Sequence, residues 1–196
     1  MNKILIIIDA QEDFTRGALR NEEAIKALPK IAEIVKYAEE HDFDILYTAD
    51  CHTDAYLETQ EGKNLPVPHC VVGTEGYLLC PEVLVSEDYL ERNPQKVDSL
   101  IKHAFGTDEW SYYAKQISAA DEVWMCGFCT DICVSANFQI IKAFCPEVPI
   151  VVIEDACAGV TPELHEAALK VMGSCQAQIK TWEDLKNEPL RKEESA

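Results

Sequence analysis

Three side chains of complementary chemistry stand at the ends of apolar runs: Asp9 after Lys3–Ile8, Lys102 after Val97–Ile101, and Cys133 in the segment Gly127-Phe-Cys-Thr-Asp-Ile-Cys-Val134. A thiol where a strand-like run turns into a helix-like one meets backbone N–H groups and the positive end of a helix dipole, which favour thiolate. A nearby carboxylate can take the thiol proton, and an ammonium can hold the charge that remains. Together they predict hydrolysis through a cysteine nucleophile. Each alone has a plainer reading, as a capping Asp, a surface Lys or a core Cys. Their shared place at strand ends favours the chemical one.

A second group is Asp50-Cys-His52, followed seventeen positions later by His69 in Leu65-Pro-Val-Pro-His-Cys-Val-Val-Gly-Thr-Glu-Gly76. One carboxylate and two imidazoles form a metal site with open positions, suited to zinc, with iron or manganese as alternatives. Glu58, Glu61, Cys51 or Cys70 could complete the shell. The competing reading is loop residues making turn hydrogen bonds. Cys126-x-x-Cys129 could be a redox couple or half a zinc site. Cys126 falls inside a buried run, however, and is assigned to the core. Cys129 lies on the turn, where its N–H and that of Cys133 could form an oxyanion hole.

These residues need elements to position them. Continuous apolar runs predict buried strands at Lys3–Asp9, Phe43–Thr48, Val97–Lys102, Glu122–Cys126 and Val148–Ile153. Helical spacing covers Glu22–Glu40, with Pro29 in a first turn or at the true start, and Asp108–Ser118 behind Thr107 or Asp108 as cap. Two more helices follow, over Thr130–Phe144 and over Pro162–Met172 behind Thr161. Asp50–Gly76 reads as a long functional loop. Tyr77–Glu91 reads as a short helix and then irregular chain. Alternating strands and helices predict an α/β fold, a parallel sheet flanked by helices on both faces in a three-layer sandwich. Ligands of such sheets gather beyond the carboxyl ends of the strands, where Asp9, Asp50, Lys102 and the 127–133 turn all fall. A single domain is expected over residues 1–188, with a polar tail at 189–196.

Composition narrows the partners. The 196 residues carry 35 acids against 17 bases, a formal charge of -18, which repels nucleic acid and anionic membrane and leaves a small molecule as the expected substrate. The first apolar run is too short for a signal or a membrane span, so a cytoplasmic location is expected. Most of the nine cysteines should then be buried thiols.

The ordered motifs resemble the isochorismatase-like cysteine hydrolases, most nearly the nicotinamidase type. Asp9-Ala-Gln-Glu-Asp-Phe14 is similar to that family's Asp-x-Gln-x-Asp-Phe opening. Asp50-Cys-His52 with Pro68-His69-Cys70 and Gly73-Thr-Glu-Gly76 resembles its metal segment. Lys102-His-Ala-Phe-Gly-Thr107 resembles its Lys-x-x-Phe-Gly-Ser stretch, and the 127–134 turn resembles its nucleophile turn. The resemblance implies Cys133 as nucleophile, Asp9 as proton shuttle, Lys102 as the organising cation and a divalent metal on Asp50, His52 and His69. It also implies a cis peptide between Phe128 and Cys129, N–H donors from Cys129 and Cys133, and a homo-oligomer. The implied reaction is amide hydrolysis through a thioester, with nicotinamide as leading substrate and Phe14 and Phe105 clamping its ring. The sequence departs from the family at Pro66, where nicotinamidases commonly carry a ring-stacking Trp, and at Cys129, where the family has a small residue. A carbamoyl or ureido amidase, and a metal-binding or redox-sensing protein without turnover, remain as alternatives. Cys133 disfavours a true isochorismatase.

Overall fold

The protein, described by a computed structural model over residues 2–188, is built on one six-stranded sheet. Its strands are β1 (Lys3–Ile8), β2 (Asp44–Asp50), β3 (Val97–Lys102), β4 (Glu122–Phe128), β5 (Ile150–Ala158) and β6 (Ala177–Lys180). They lie in the order β3-β2-β1-β4-β5-β6, all parallel. β1 is wholly buried, as its run of β-branched residues requires for a central strand covered on both faces.

The helices are α1 (Glu12–Thr15), α2 (Glu22–Glu40), α3 (Gln60–Asn64), α4 (Glu87–Arg92), α5 (Trp110–Ser118), α6 (Ser135–Phe144), α7 (Pro162–Ser174) and α8 (Trp182–Asn187). Parallel neighbours need right-handed crossovers. From β1 the chain winds outward through α2 to β2, and from β4 it winds the opposite way through α6 and α7. These two windings therefore cover opposite faces. Trp182 of α8 donates its indole N–H to Glu33 of α2, and Trp110 of α5 donates to Asn137 of α6, which assigns α8 and α5 to their layers. The order reverses between β1 and β4, and the crevice beyond that point is where such sheets bind ligands.

Several expectations need correction. Pro29 sits inside α2 instead of at its start; seven buried residues, Ala24 to Ala38, hold the helix against the sheet despite the lost N–H. In 77–91 the helix comes last, begun by Ser86, whose hydroxyl accepts from Tyr89 N–H, while a 3-10 turn at Pro81–Val83 precedes it. α5 starts at Trp110, because Thr107 spends its hydroxyl on Glu109 N–H in the turn before it. β5 starts at Ile150 and runs on to Ala158, and β4 continues through Gly127 and Phe128. Gly127 has φ +119°, and a Cβ there would lie 2.0 Å from the Ile8 carbonyl oxygen, so only glycine lets β4 approach β1 at the strand ends. β6 and α8 escaped the sequence reading. The tail expected at 189–196 lies outside the described residues. Among those described, no helix is long and apolar enough to cross a membrane.

Candidate active site

Asp9, Lys102 and Cys133 converge beyond the carboxyl ends of β1, β3 and β4. Lys102 Nζ is 2.8 Å from Asp9 Oδ2, 3.1 Å from Asp50 Oδ1, 3.1 Å from the Ala104 carbonyl and 3.5 Å from Cys133 Sγ. The register pairs Asp50 with Lys102 across β2 and β3, so the two charges meet as strand neighbours. Asp9, with φ 47°, leaves β1 in a left-handed conformation and is fully buried. Its N–H and Oδ1 are both tied to Thr48, which stands beside β1 in the register. Oδ2 is ion-paired with the buried Lys102 ammonium. It is chemically able to take a proton.

Electrostatics corrects one expectation. Burial and then the Asp9 charge push the Cys133 thiol well above its ordinary range, against the pull of Lys102. Residues Thr130–Val134 form a π-helical turn ahead of α6, and Cys133 is 5% exposed. Burial thus favours the thiol beside a base, where the helix start was expected to favour thiolate. Burial raises the Asp9 carboxyl too, with Lys102 opposing. For Lys102, burial works against the charge, but Asp9, Cys133 and Asp50 outweigh it and the ammonium is held above its usual range.

The second group also assembles. Asp50, His52, Glu61 and His69 each offer one ligand atom, all within 4.8 Å of one another. His52 Nε2 is 3.1 Å from Asp50 Oδ2, and both imidazole Nε2 atoms are 3.5 Å from Glu61 Oε1. His69 Nδ1 lies 2.9 Å from the Val67 carbonyl, a contact that leaves Nε2 free to ligate. Burial raises Asp50, but hydrogen bonds from His52 and His69 and the charge of Lys102 outweigh it and hold its carboxyl well below the usual range. Two carboxylates and two imidazoles, that of His69 oriented by Val67, fit a divalent ion such as zinc. Of the extra ligands considered, Glu61 joins this group; Glu58, Cys51 and Cys70 do not.

The opening motif explains how a loop holds such a site. The Gln11 amide donates to the Asp50 and Tyr77 carbonyls and accepts from Asp50 N–H. Asp13 accepts from Cys70 N–H, next to His69, and from Ala18 N–H. A Cβ on Gly76 would lie 2.2 Å from the Asp13 carboxylate, so the loop closes over Asp13 only with glycine there. Asp9, Gln11 and Asp13 therefore serve three duties from one segment.

A cavity of about 690 Å³ opens onto Cys133, Cys129, Asp50, Glu61 and His69. Phe14, Leu19, Leu65, Phe105, Ile132 and Val160 make its apolar wall, so both predicted aromatic residues line it. Phe14 is buried with its edge to His69, whereas Phe105 is 48% exposed at the rim. The rim's polar groups are occupied: Arg20 pairs with Glu22 at 2.9 Å, while Asn21 donates to the Gly159 carbonyl and accepts from Glu23 N–H. The Phe128–Cys129 peptide is cis. Sequence reasoning missed Leu19, Leu65, Ile132, Val160 and Thr48; only Thr48, as the polar end of a predicted strand, carried a signal.

Comparison with known proteins bears on the family and the fold. The family model for the Isochorismatase domain matches residues 3–184. Curated protein sequences give no match. Among solved structures, nicotinamidase/pyrazinamidase from Bacillus subtilis superposes with a TM-score of 0.76 at 26% identity, over 92% of this chain and 100% of that one. Pyrazinamidase of Pyrococcus horikoshii, solved in complex with zinc, gives 0.77 at 25%, over 93% and 100%. N-carbamoylsarcosine amidase from Thermoplasma acidophilum gives 0.74 at 21%, over 97% and 99%, a likeness of fold.

Proposed function

From the premise that the chain belongs to the isochorismatase family of hydrolases, we propose that it is a cysteine amidohydrolase that cleaves the C–N bond of a small neutral carboxamide, nicotinamide first. The observation that carries this is the buried cluster in which Lys102 contacts Asp9, Asp50 and Cys133 at once, at the floor of an apolar cavity.

Each residue's part follows from its chemistry. Asp9 Oδ2, ion-paired with Lys102, takes the Cys133 proton as Sγ attacks the carbonyl carbon. The ammonium of Lys102 holds the charge shared between sulphur and carboxylate. Backbone N–H groups of Cys129 and Cys133 receive the oxyanion, in place of donors that would have to reorganise. Asp9 then returns the proton to the departing nitrogen and ammonia leaves. Water attacks the thioester, giving its proton to Asp9, and the acid departs as the thiol reforms. Asp50, His52, Glu61 and His69 would hold a divalent ion. That ion, when bound, supplies a Lewis acid that anchors a heteroatom of the substrate.

The cavity wall favours a flat, uncharged ring between Phe14 and Phe105. Ammonia release should be measured from nicotinamide, other heteroaromatic carboxamides and N-carbamoyl amino acids, for wild type and Cys133→Ala. Turnover of the ring carboxamides, abolished in the variant, is expected. Turnover of carbamoyl compounds alone would replace the substrate, and no turnover of any with metal still bound would replace the enzyme reading with a binding one.

A further inference from the structure

One buried polar side chain beside the nucleophile has no part in the chemistry above. Asn137, in α6 one turn beyond Cys133, is fully buried. Its Nδ2 donates to the Cys133 carbonyl at 2.7 Å and to the Phe105 carbonyl at 3.0 Å, and its Oδ1 accepts from Trp110 Nε1 at 2.7 Å. Both amide hydrogens and the acceptor are engaged, which a buried amide requires, yet an apolar residue would fill the same space without that requirement. Among the described residues no other side chain hydrogen-bonds either carbonyl.

The three partners belong to three segments. Cys133 lies on the π-helical turn, Phe105 on the loop between β3 and α5, and Trp110 at the start of α5, itself fully buried. The loop is the one whose Ala104 carbonyl receives Lys102 Nζ. It runs close on α6 at Gly106, where a Cβ would lie 2.5 Å from Ile140 Cδ1. Asn137 thereby spans the gap between the segment holding the nucleophile and the segment holding its cation and the cavity rim. We infer that Asn137 is a positioning residue: its amide fixes the Cys133 turn against the Lys102–Phe105 loop, so that sulphur, ammonium and rim aromatic keep one spacing.

This rests on Cys133 as nucleophile, so the test pairs a substrate-free readout with kinetics. The readout is the rate at which iodoacetamide labels Cys133, followed by mass spectrometry of its peptide at one pH in full-length protein. Asn137→Ala loses both donated bonds and is expected to slow Cys133 labelling about tenfold and kcat about thirtyfold, as misplacement of a reacting group does. Asn137→Ser keeps a hydroxyl able to bond the carbonyl one turn back, so labelling and kcat should stay within about fivefold while KM rises about fivefold as Phe105 is released. Trp110→Phe removes the bond to Oδ1 alone and should leave kcat and KM within about threefold, even at a cost in stability.

A merely structural role moves the readout the other way. Loosening the fold around a thiol that is 5% exposed speeds its labelling. Faster or unchanged labelling in Asn137→Ala, or a serine variant no better than alanine, would overturn the inference. Should Asn137→Ala fail to fold, the KM rise in Asn137→Ser and its absence in Trp110→Phe decide; equal effects would refute positioning. If wild type turns over no amide, the functional proposal fails while the labelling rates still report on Asn137.

Discussion

The reactive cluster and the metal-ligating cluster share Asp50 yet are built by opposite means. Asp9 and Lys102 stand at the ends of β1 and β3 and Cys133 on the π-helical turn that follows β4, so the sheet brings the three together and burial sets their charge. His52, Glu61 and His69 belong to the 51–74 stretch, whose only regular elements are a 3-10 turn at Tyr56–Glu58 and short α3. Their spacing is set by side chains borrowed from elsewhere, Gln11 on Asp50 and Asp13 on Cys70. A sheet can hold an ion cluster by topology, whereas a loop needs buried polar ties to reach the same order. One half should therefore fail chemically when altered and the other should fail in affinity.

The largest expected effect breaks the reactive half alone. Cys133→Ala should lower kcat by about 10⁴-fold or more, with zinc affinity by calorimetry unchanged. Next, Lys102→Met leaves Asp9 and Asp50 as buried carboxylates without their cation. A loss of about 3–5 kcal/mol in urea unfolding of the metal-free protein is expected, with activity lost as well. Asp13→Ala should weaken zinc about 10–100-fold by releasing the loop around His69, while the rate of Cys133 labelling stays as in wild type. If labelling changes too, the halves are not separable.

Smaller effects sharpen the contrast. Asp9 must be ionised to accept the thiol proton, and burial raises its pKa, so kcat/KM should fall with falling pH at a midpoint above the ordinary aspartate value of about 3.9. A midpoint at or below that value would remove Asp9 from the role of base. Cys129→Ala keeps the backbone N–H and should change kcat by no more than about threefold, since its thiol is pushed up to about 12 by burial and then Asp131 and, unlike that of Cys133, takes no hydrogen bond from Lys102.

The same contrast governs what the sequence made legible. Apolar runs ending in Asp9, Lys102 and the 127–133 turn announced both the strands and the residues at their ends, because a parallel strand must be buried and its polar terminus must then face the crevice. The metal half was legible by residue type but not by membership: Glu58, Glu61, Cys51 and Cys70 were equal candidates until the loop's path chose Glu61. The raised thiol of Cys133 was invisible as well, since burial depends on packing from segments far apart in the chain. Pro29 inside α2 and the reversed order within 77–91 show tertiary packing overriding local preference. The π-helical turn at Thr130–Val134 carries no pattern of its own, and it is where Asn137 reaches back to the nucleophile.

The central claim, that Cys133 carries the acyl group, is tested most directly by acid-quenching the enzyme during turnover of nicotinamide and mapping covalent adducts by mass spectrometry. A nicotinoyl adduct on the peptide containing Cys133, absent from Cys133→Ala and lost on continued incubation, is the predicted result. Undiminished ammonia release from Cys133→Ala, or an acyl group found on Cys129, would contradict it.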